Sequence, residues 1–327
     1  MRRREFITLI GSAAALPLLR VPVARAQEPG RIYRLGILTG ASRQAPRMVA
    51  FFDELKVFGF VDGQNLTIVV GGFDLRDDQF AEVAATLAKA APDVVFCVSD
   101  AATRAAQQSA YTVPVVALSS DMVAAGLVRS LAHPGGNITG VSILGAELNG
   151  KRLEILMEVV PGARRIAILA DPKVTQPAEL QALQNVARAR GVELVIFTAG
   201  APEQIAPAMD KAKASEATAL NVLTAPLFSF NRSIVFERAA AALGLPAIYE
   251  FPEMAEEGGL IAYGPRLTLI YRQLARLLVK VLRGAKPEDL PVEQPTNFEL
   301  VINLTTAKAL GLTIPESFLV RADKVIE

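Results

Sequence analysis

The chemistry this sequence offers lies at the carboxyl ends of short apolar runs. In the first half these positions hold Thr39, Gly40 and Ser42, then Ser99 and Asp100, then Ser119, Ser120 and Asp121. In the second half they hold Asp171, then Thr224 and Ala225, then Tyr249, Glu250 and Phe251, with Tyr263 after a later run. Short hydroxyls and carboxylates beside open helix N-termini hold a small polar group by hydrogen bonds. Ser and Asp are also favoured N-caps, so capping and ligand contact are both open for Ser99, Asp100, Ser119, Ser120 and Asp121. An α-amino acid needs a cation site and an anion site close together. The carboxylates Asp100, Asp121, Asp171 and Glu250 stand out, and no Arg is paired with them at a strand end. Phe228, Phe230, Tyr249, Phe251 and Tyr263 offer apolar wall, although Phe230 opens an amphipathic pattern and is assigned to the core. The set suits a small, partly apolar or aromatic organic ligand.

Covalent and metal chemistry is poorly supplied. The 327 residues include one His and one Cys, too few for a Cys/His zinc site or a disulfide. His133 precedes the turn Pro134-Gly135-Gly136, and Cys97 sits within an apolar run where a thiol is inert. Gly145 to Lys151 matches a phosphate loop up to its lysine, but Arg152 stands where a magnesium-binding hydroxyl belongs, so the segment is read as a helix start. No cofactor is called for.

Alternating strands and helices must position these groups. Apolar, β-branched runs at Tyr33 to Leu38, Leu66 to Val70, Val94 to Val98, Val113 to Leu118 and Ile138 to Ile143 alternate with helical patterns. Those patterns cover Ala45 to Phe58, Asp77 to Ala90, Ala101 to Ser109 and Val123 to Leu131. This is the signature of a parallel sheet covered on both faces. The rhythm restarts with strands at Arg165 to Ala170, Val192 to Phe197, Ala219 to Leu223, Ala247 to Tyr249 and Leu260 to Tyr263. Helical patterns at Lys151 to Val160, Ala178 to Arg190, Pro202 to Ala214 and Phe230 to Leu243 accompany them.

A further helix, Arg266 to Arg283, carries Leu269, Ile270, Leu274, Leu277, Leu278 and Val281 on one face. It has no room on a second lobe already wound, so it is expected back on the first, with the tail from Phe298 returning to the second. The expected fold is α/β: two doubly wound parallel-sheet lobes joined by a three-segment hinge near 142–146, 258–264 and 291–297. One lobe comprises residues 27–143 plus 264–293, the other 144–263 plus 294–327. In open α/β sheets ligands sit beyond the carboxyl ends of the strands, here the cleft between lobes.

The first 26 residues read as an address. Arg3-Arg4 precedes an apolar stretch from Ile7 to Leu19, and Ala24-Arg25-Ala26 is a small-x-small cleavage site. This is the pattern of a twin-arginine export signal cut after Ala26, and the stretch is short for a bilayer span. The signal holds five Arg and one Glu, so the remainder carries 29 basic and 32 acidic side chains. A mildly acidic surface gives no electrostatic reason to bind nucleic acid or an anionic bilayer. Export points to the periplasm.

Three segments together carry a family resemblance: Leu131 to Gly140 (LAHPGGNITG), Pro295 to Leu304 (PTNFELVINL) and Lys308 to Pro315 (KALGLTIP). With the export start, they resemble the ABC-transporter substrate-binding proteins that include tryptophan- and tyrosine-binding members, a branch of the type I periplasmic binding fold. The resemblance covers nearly the whole mature chain. It implies a monomeric solute receptor that closes on its ligand and meets an ABC permease in the inner membrane, with no catalytic residues. The loop Asp171 to Pro177 departs from the Asn- and Ser-rich loop of the amino-acid-binding members, and the loop from Thr224 to Phe230 is unusually apolar. Two other readings stay open: a sensor subunit reporting ligand to a membrane receptor, and a periplasmic α/β enzyme working with Asp and Glu alone.

Overall fold

The structure is a computed structural model and describes residues 30–109 and 112–327. The expected export signal and its expected cleavage site lie outside the described residues. Two sheets divide the strands between them.

The first sheet holds β1 (Tyr33–Leu38), β2 (Leu66–Gly72), β3 (Val94–Val98), β4 (Val115–Ser119) and β5 (Ile138–Ser142), in the order β2-β1-β3-β4-β5 and all parallel. Every residue of β3, β4 and β5 is buried, because helices cover both faces of a parallel sheet. Those helices are α1 (Pro46–Val57), α2 (Phe80–Lys89) and α3 (Asp100–Ser109). The second sheet follows the order β12-β11-β10-β9-β8-β6-β7. It comprises β6 (Arg165–Ala170), β7 (Glu193–Thr198), β8 (Ala219–Val222), β9 (Ala247–Tyr249), β10 (Ile261–Gly264), β11 (Glu299–Asn303) and β12 (Lys324–Ile326). Around it lie α4 (Gly145–Val159), α5 (Pro177–Arg188), α6 (Pro202–Ala214), α7 (Pro226–Phe230), α8 (Arg232–Phe236) and α9 (Pro252–Glu256).

The long helix α10 (Leu267–Leu282) returns to the first lobe, where it packs on α1 and on β3, β4 and β5. Ile270, Leu274, Leu277 and Leu278 are each at most 2% exposed on that face, and burying such a side chain contributes about 1.5–3 kcal/mol. The chain passes between the sheets after Ser142 and after Gly264. It passes a third time beyond Glu293, whose N–H still bonds Gly140 O at 2.9 Å before β11 begins at Glu299. Because β11 re-enters from the other lobe, it runs antiparallel to β10, with Ile261 opposite Ile302. The short helices α11 (Leu304–Ala309) and α12 (Glu316–Leu319) complete the second lobe.

Three helical expectations are corrected. Residues 123–131 form turns: the Asp121 carboxylate accepts from Val123 and Ala124 N–H, and Gly126 takes a left-handed φ of 68° that ends the coil after one turn. The helix expected from Lys151 starts at Gly145, after Leu144 at φ 58°. The segment read as a helix start, Gly145 to Lys151, is the opening of this helix. The helix expected over Phe230 to Leu243 is α7, α8 and a π-helical turn at Glu237–Ala242, and Asn231 breaks the run as its amide donates to Leu227 O.

Candidate functional site

A cavity of about 350 Å³ lies between the lobes, at the carboxyl ends of both sheets. The first lobe supplies its floor through the ends of β3 and β4. Ser99 sits at φ 113°, its Oγ accepting from Ala102 N–H at 3.2 Å as a helix cap. The Ser119 hydroxyl donates to Asp100 Oδ1 at 2.5 Å. Burial pushes the Asp100 carboxyl up, and that hydrogen bond and the nearby Arg104 partly offset the rise. Ser120 O accepts from Gly145 N–H at 3.1 Å, which ties the cavity rim to the start of α4. Capping and cavity lining thus coincide at Ser99 and Asp121.

The second lobe builds its wall on a buried cation. Arg152, 1% exposed, donates through Nε to Tyr263 O at 2.8 Å and through Nη1 to Asn149 Oδ1 at 2.6 Å and Thr224 Oγ1 at 2.8 Å. Thr224 N–H donates to the same Asn149 oxygen at 3.0 Å. The Asn149 amide reaches Glu179 Oε1 at 2.5 Å. Burial lowers the guanidinium to about 10, so Arg152 is charged at neutral pH. Helix α4 therefore fixes the loop after β8 from behind. The start of that helix, which resembled a phosphate loop, carries the scaffold of the site.

Glu250 follows β9 and is 3% exposed. Burial drives its carboxyl up to about 8, against the opposing pull of Arg152, Thr224 and Arg47. Desolvation also raises Asp171 and Glu179, with Lys173 N–H donating to Asp171 Oδ1 at 2.9 Å.

Of the residues expected at the site, Ser99, Asp100, Ser119, Ser120, Asp121, Asp171, Thr224, Ala225, Glu250 and Phe251 line the cavity. Thr39, Gly40, Ser42, Tyr249 and Tyr263 do not. Thr39 is fully buried, its hydroxyl turned to Ala41 N–H and to the Tyr271 side chain. Ser42 pairs with Gln44. Tyr249 packs edge-on against Phe236, 5.0 Å between centroids, inside the second lobe. Tyr263 lies by Phe298. Strand alternation decides this: β9 turns Tyr249 to the core and leaves Glu250 to the cleft.

Residues from helices complete the wall: Arg47 on α1, Arg104 on α3, and Leu267 and Tyr271 on α10. Strand ends could not reveal them. Arg47, 6% exposed, lies with its guanidinium 5.6 Å from the Phe230 ring centroid. Phe230 itself lines the cavity, contrary to its assignment to the core, whereas Phe228 is fully buried. The break at Asn231 leaves α7 only five residues long, so Phe230 ends a helix rather than opening one. Phe230 against Gly40, Arg47 over Phe230, and Lys173 Nζ to Asp77 Oδ2 at 3.5 Å are contacts that cross the cleft.

Among the described residues no group of His, Cys, Asp and Glu could hold a metal ion, and no helix is long and apolar enough to cross a membrane. Cys97 is buried, with its thiol pushed up by desolvation.

Known proteins share this architecture. A tyrosine-binding protein of Clostridioides difficile strain R20291 is 25% identical over 265 residues, 80% of this chain and 75% of that protein. A conserved domain protein of Vibrio cholerae superposes with a TM-score of 0.80 at 25% identity, covering 90% of this chain and 99% of the other. An ABC domain in complex with L-Trp from Streptococcus pneumoniae gives 0.79 at 24% identity, covering 90% and 100%. LacI-type regulators share the fold at lower scores, for example 0.55 at 16% identity for one from Bifidobacterium animalis. The family model of ABC transporter substrate binding proteins matches residues 38–326, and the chain belongs to that family.

Proposed function

We propose that this protein is the periplasmic receptor of an ABC importer, taking a small, partly apolar or aromatic organic solute of the amino-acid or carboxylic-acid class in the interlobe cleft. The single observation that carries this reading is the composition of the cavity wall. Phe230, Phe251, Leu267 and Tyr271 give it apolar surface, and Glu250 faces it from one lobe while Arg47 faces it from the other. An anion site and a cation site on opposite lobes hold a small zwitterion only when the lobes close. The solutes in the names of the relatives, tyrosine and tryptophan, fit the same chemistry. Three chain passages between the sheets supply the hinge, the lobes being residues 27–143 with 264–293 and 144–263 with 294–327. Closure buries the ligand and presents both lobes to a permease. The twin-arginine start supports delivery to the periplasm.

The test is a thermal-shift screen of the exported protein, refolded to strip retained solute, against amino acids, aromatic and branched-chain acids, nucleosides and sugars. A ligand at 100 times its Kd adds about 2.7 kcal/mol of stability. A shift confined to amino or carboxylic acids supports the reading. A shift with sugars or nucleosides alone contradicts it.

A further inference from the structure

Glu250 stands apart among the acids of the cleft. Its Oε2 has no hydrogen-bond partner although the side chain is 3% exposed and lines the cavity. The other lining carboxylates are engaged. Asp100 takes the Ser119 hydroxyl, Asp121 caps its own turn, Asp171 takes Lys173 N–H and Glu179 takes the Asn149 amide. Asp77 pairs with Lys173. Glu253 also carries an unpartnered oxygen, but it lies off the cavity.

The neighbouring cations do not fill the vacancy on Glu250. Arg152 spends its donors on Asn149, Thr224 and Tyr263 O, and meets Glu250 only at the main-chain oxygen, at 3.5 Å. Arg47 lies over Phe230 and bonds the Tyr271 side chain. An unmatched buried acceptor is destabilising, more so when charged, and a cationic donor removes that penalty. Besides Glu250, the cavity is lined by five acidic side chains against three cationic ones, so a further positive charge is favoured there.

We propose that Glu250 Oε2 is the acceptor for a protonated amine on the solute, so that the cleft selects amine-bearing solutes over carboxylic acids of the same shape. This rests on the receptor reading above and narrows its solute class. The same position makes binding proton-linked. The charged and titratable groups facing Glu250 are Arg152 from α4 and Arg47 from α1. Glu179 of α5 shares Arg152, and Tyr271 of α10 shares Arg47. Burial favours the protonated carboxyl, raised to about 8. When an ammonium arrives, the carboxyl O–H proton leaves to solvent and the carboxylate pairs with the ammonium, one proton released for each solute bound.

The experiment is calorimetric titration of the refolded protein at pH 7 with L-phenylalanine, L-tyrosine, L-tryptophan and L-leucine, and with the deaminated acid of each. It is run in phosphate and in Tris, which differ in heat of ionisation. The expected result is binding of at least one amino acid, with its deaminated partner roughly 10- to 100-fold weaker. Release of roughly one proton should accompany binding and be abolished in Glu250→Gln, whose amide imitates the protonated acid and leaves the fold intact. Deaminated acids binding as tightly as the amino acids would overturn the proposal while leaving the receptor reading standing. Binding of none of the eight would contradict the solute class of that reading, and this proposal with it.

Discussion

Phe230 of the second lobe rests on Gly40 of the first, so closely that a Cβ at position 40 would stand 2.6 Å from the ring carbon Cδ2 and 2.8 Å from Cε2. The absence of a side chain at Gly40 is what lets the lobes meet over the cavity. Gly40→Val should therefore fail to close, with a smaller cost inside its own lobe, where the Cβ would stand 3.1 Å from Leu75 O. Forcing extra methyl groups into a packed contact costs about 1–3 kcal/mol, so affinity for the solute should fall about 5- to 150-fold with little change in the denaturation midpoint of the ligand-free protein. Unaltered affinity would show that this contact plays no part in closure.

Arg152 is expected to matter more to folding than to binding. Its guanidinium ties together α4, the loop after β8 and the end of β10. Arg152→Ala leaves Tyr263 O and the side-chain oxygens of Asn149 and Thr224 without this donor, and an unmatched buried acceptor costs about 1–3 kcal/mol. Arg152→Lys should recover only part of this, because an ammonium cannot reproduce the planar fork. Urea denaturation of both variants checks the order.

The pH dependence of stability has a definite sign. Glu250 holds its proton to about pH 8 when folded, against an ordinary value of 4.5. Between those values the native state binds the extra proton, so stability falls as pH rises, by at most about 1.4 kcal/mol per unit, and levels off above pH 8. Asp100, Asp171 and Glu179, also raised by burial, act in the same direction. Denaturation midpoints of wild type and Glu250→Gln at pH 5, 6, 7 and 8 should show a flatter profile in the variant. Parallel profiles would mean that Glu250 is ionised in the folded protein.

Ser99 combines a cost with a gain. A φ of 113° strains a non-glycine backbone by about 1–3 kcal/mol, while its Oγ caps α3. Replacing a cap by Gly costs only a few tenths of a kcal/mol. Ser99→Gly should therefore be neutral or stabilising, and a loss of affinity in a stable variant would mark the hydroxyl as a solute contact. Strong destabilisation would refute the strain argument.

The lobes and their connections were legible because periodicity and strand length carry them. The strands Tyr33–Leu38, Val94–Val98, Arg165–Ala170 and Ala247–Tyr249 end where their apolar runs end, and surplus apolar surface on α10 required a return to the first lobe. The start of α4 was legible only through its phosphate-loop-like pattern, because Asn149 is a poor helix former in isolation; its side chain is held by Arg152 one turn on and by Thr224 and Glu179 of other elements. The site divided in the same way. Glu250 and Thr224 follow from strand ends, whereas Arg47 and Tyr271 belong to helices whose exposed and buried faces depend on how the two lobes face one another. Tyr249 and Tyr263 were drawn in by their type, and the pleat turned them away.

We propose that the two lobes close on a small solute held between them. Small-angle X-ray scattering of the refolded protein, alone and saturated with the solute found by the thermal screen, tests it most directly. The expected result is a smaller radius of gyration in the bound state and no such change in Gly40→Val. Identical profiles for free and saturated wild-type protein would contradict it.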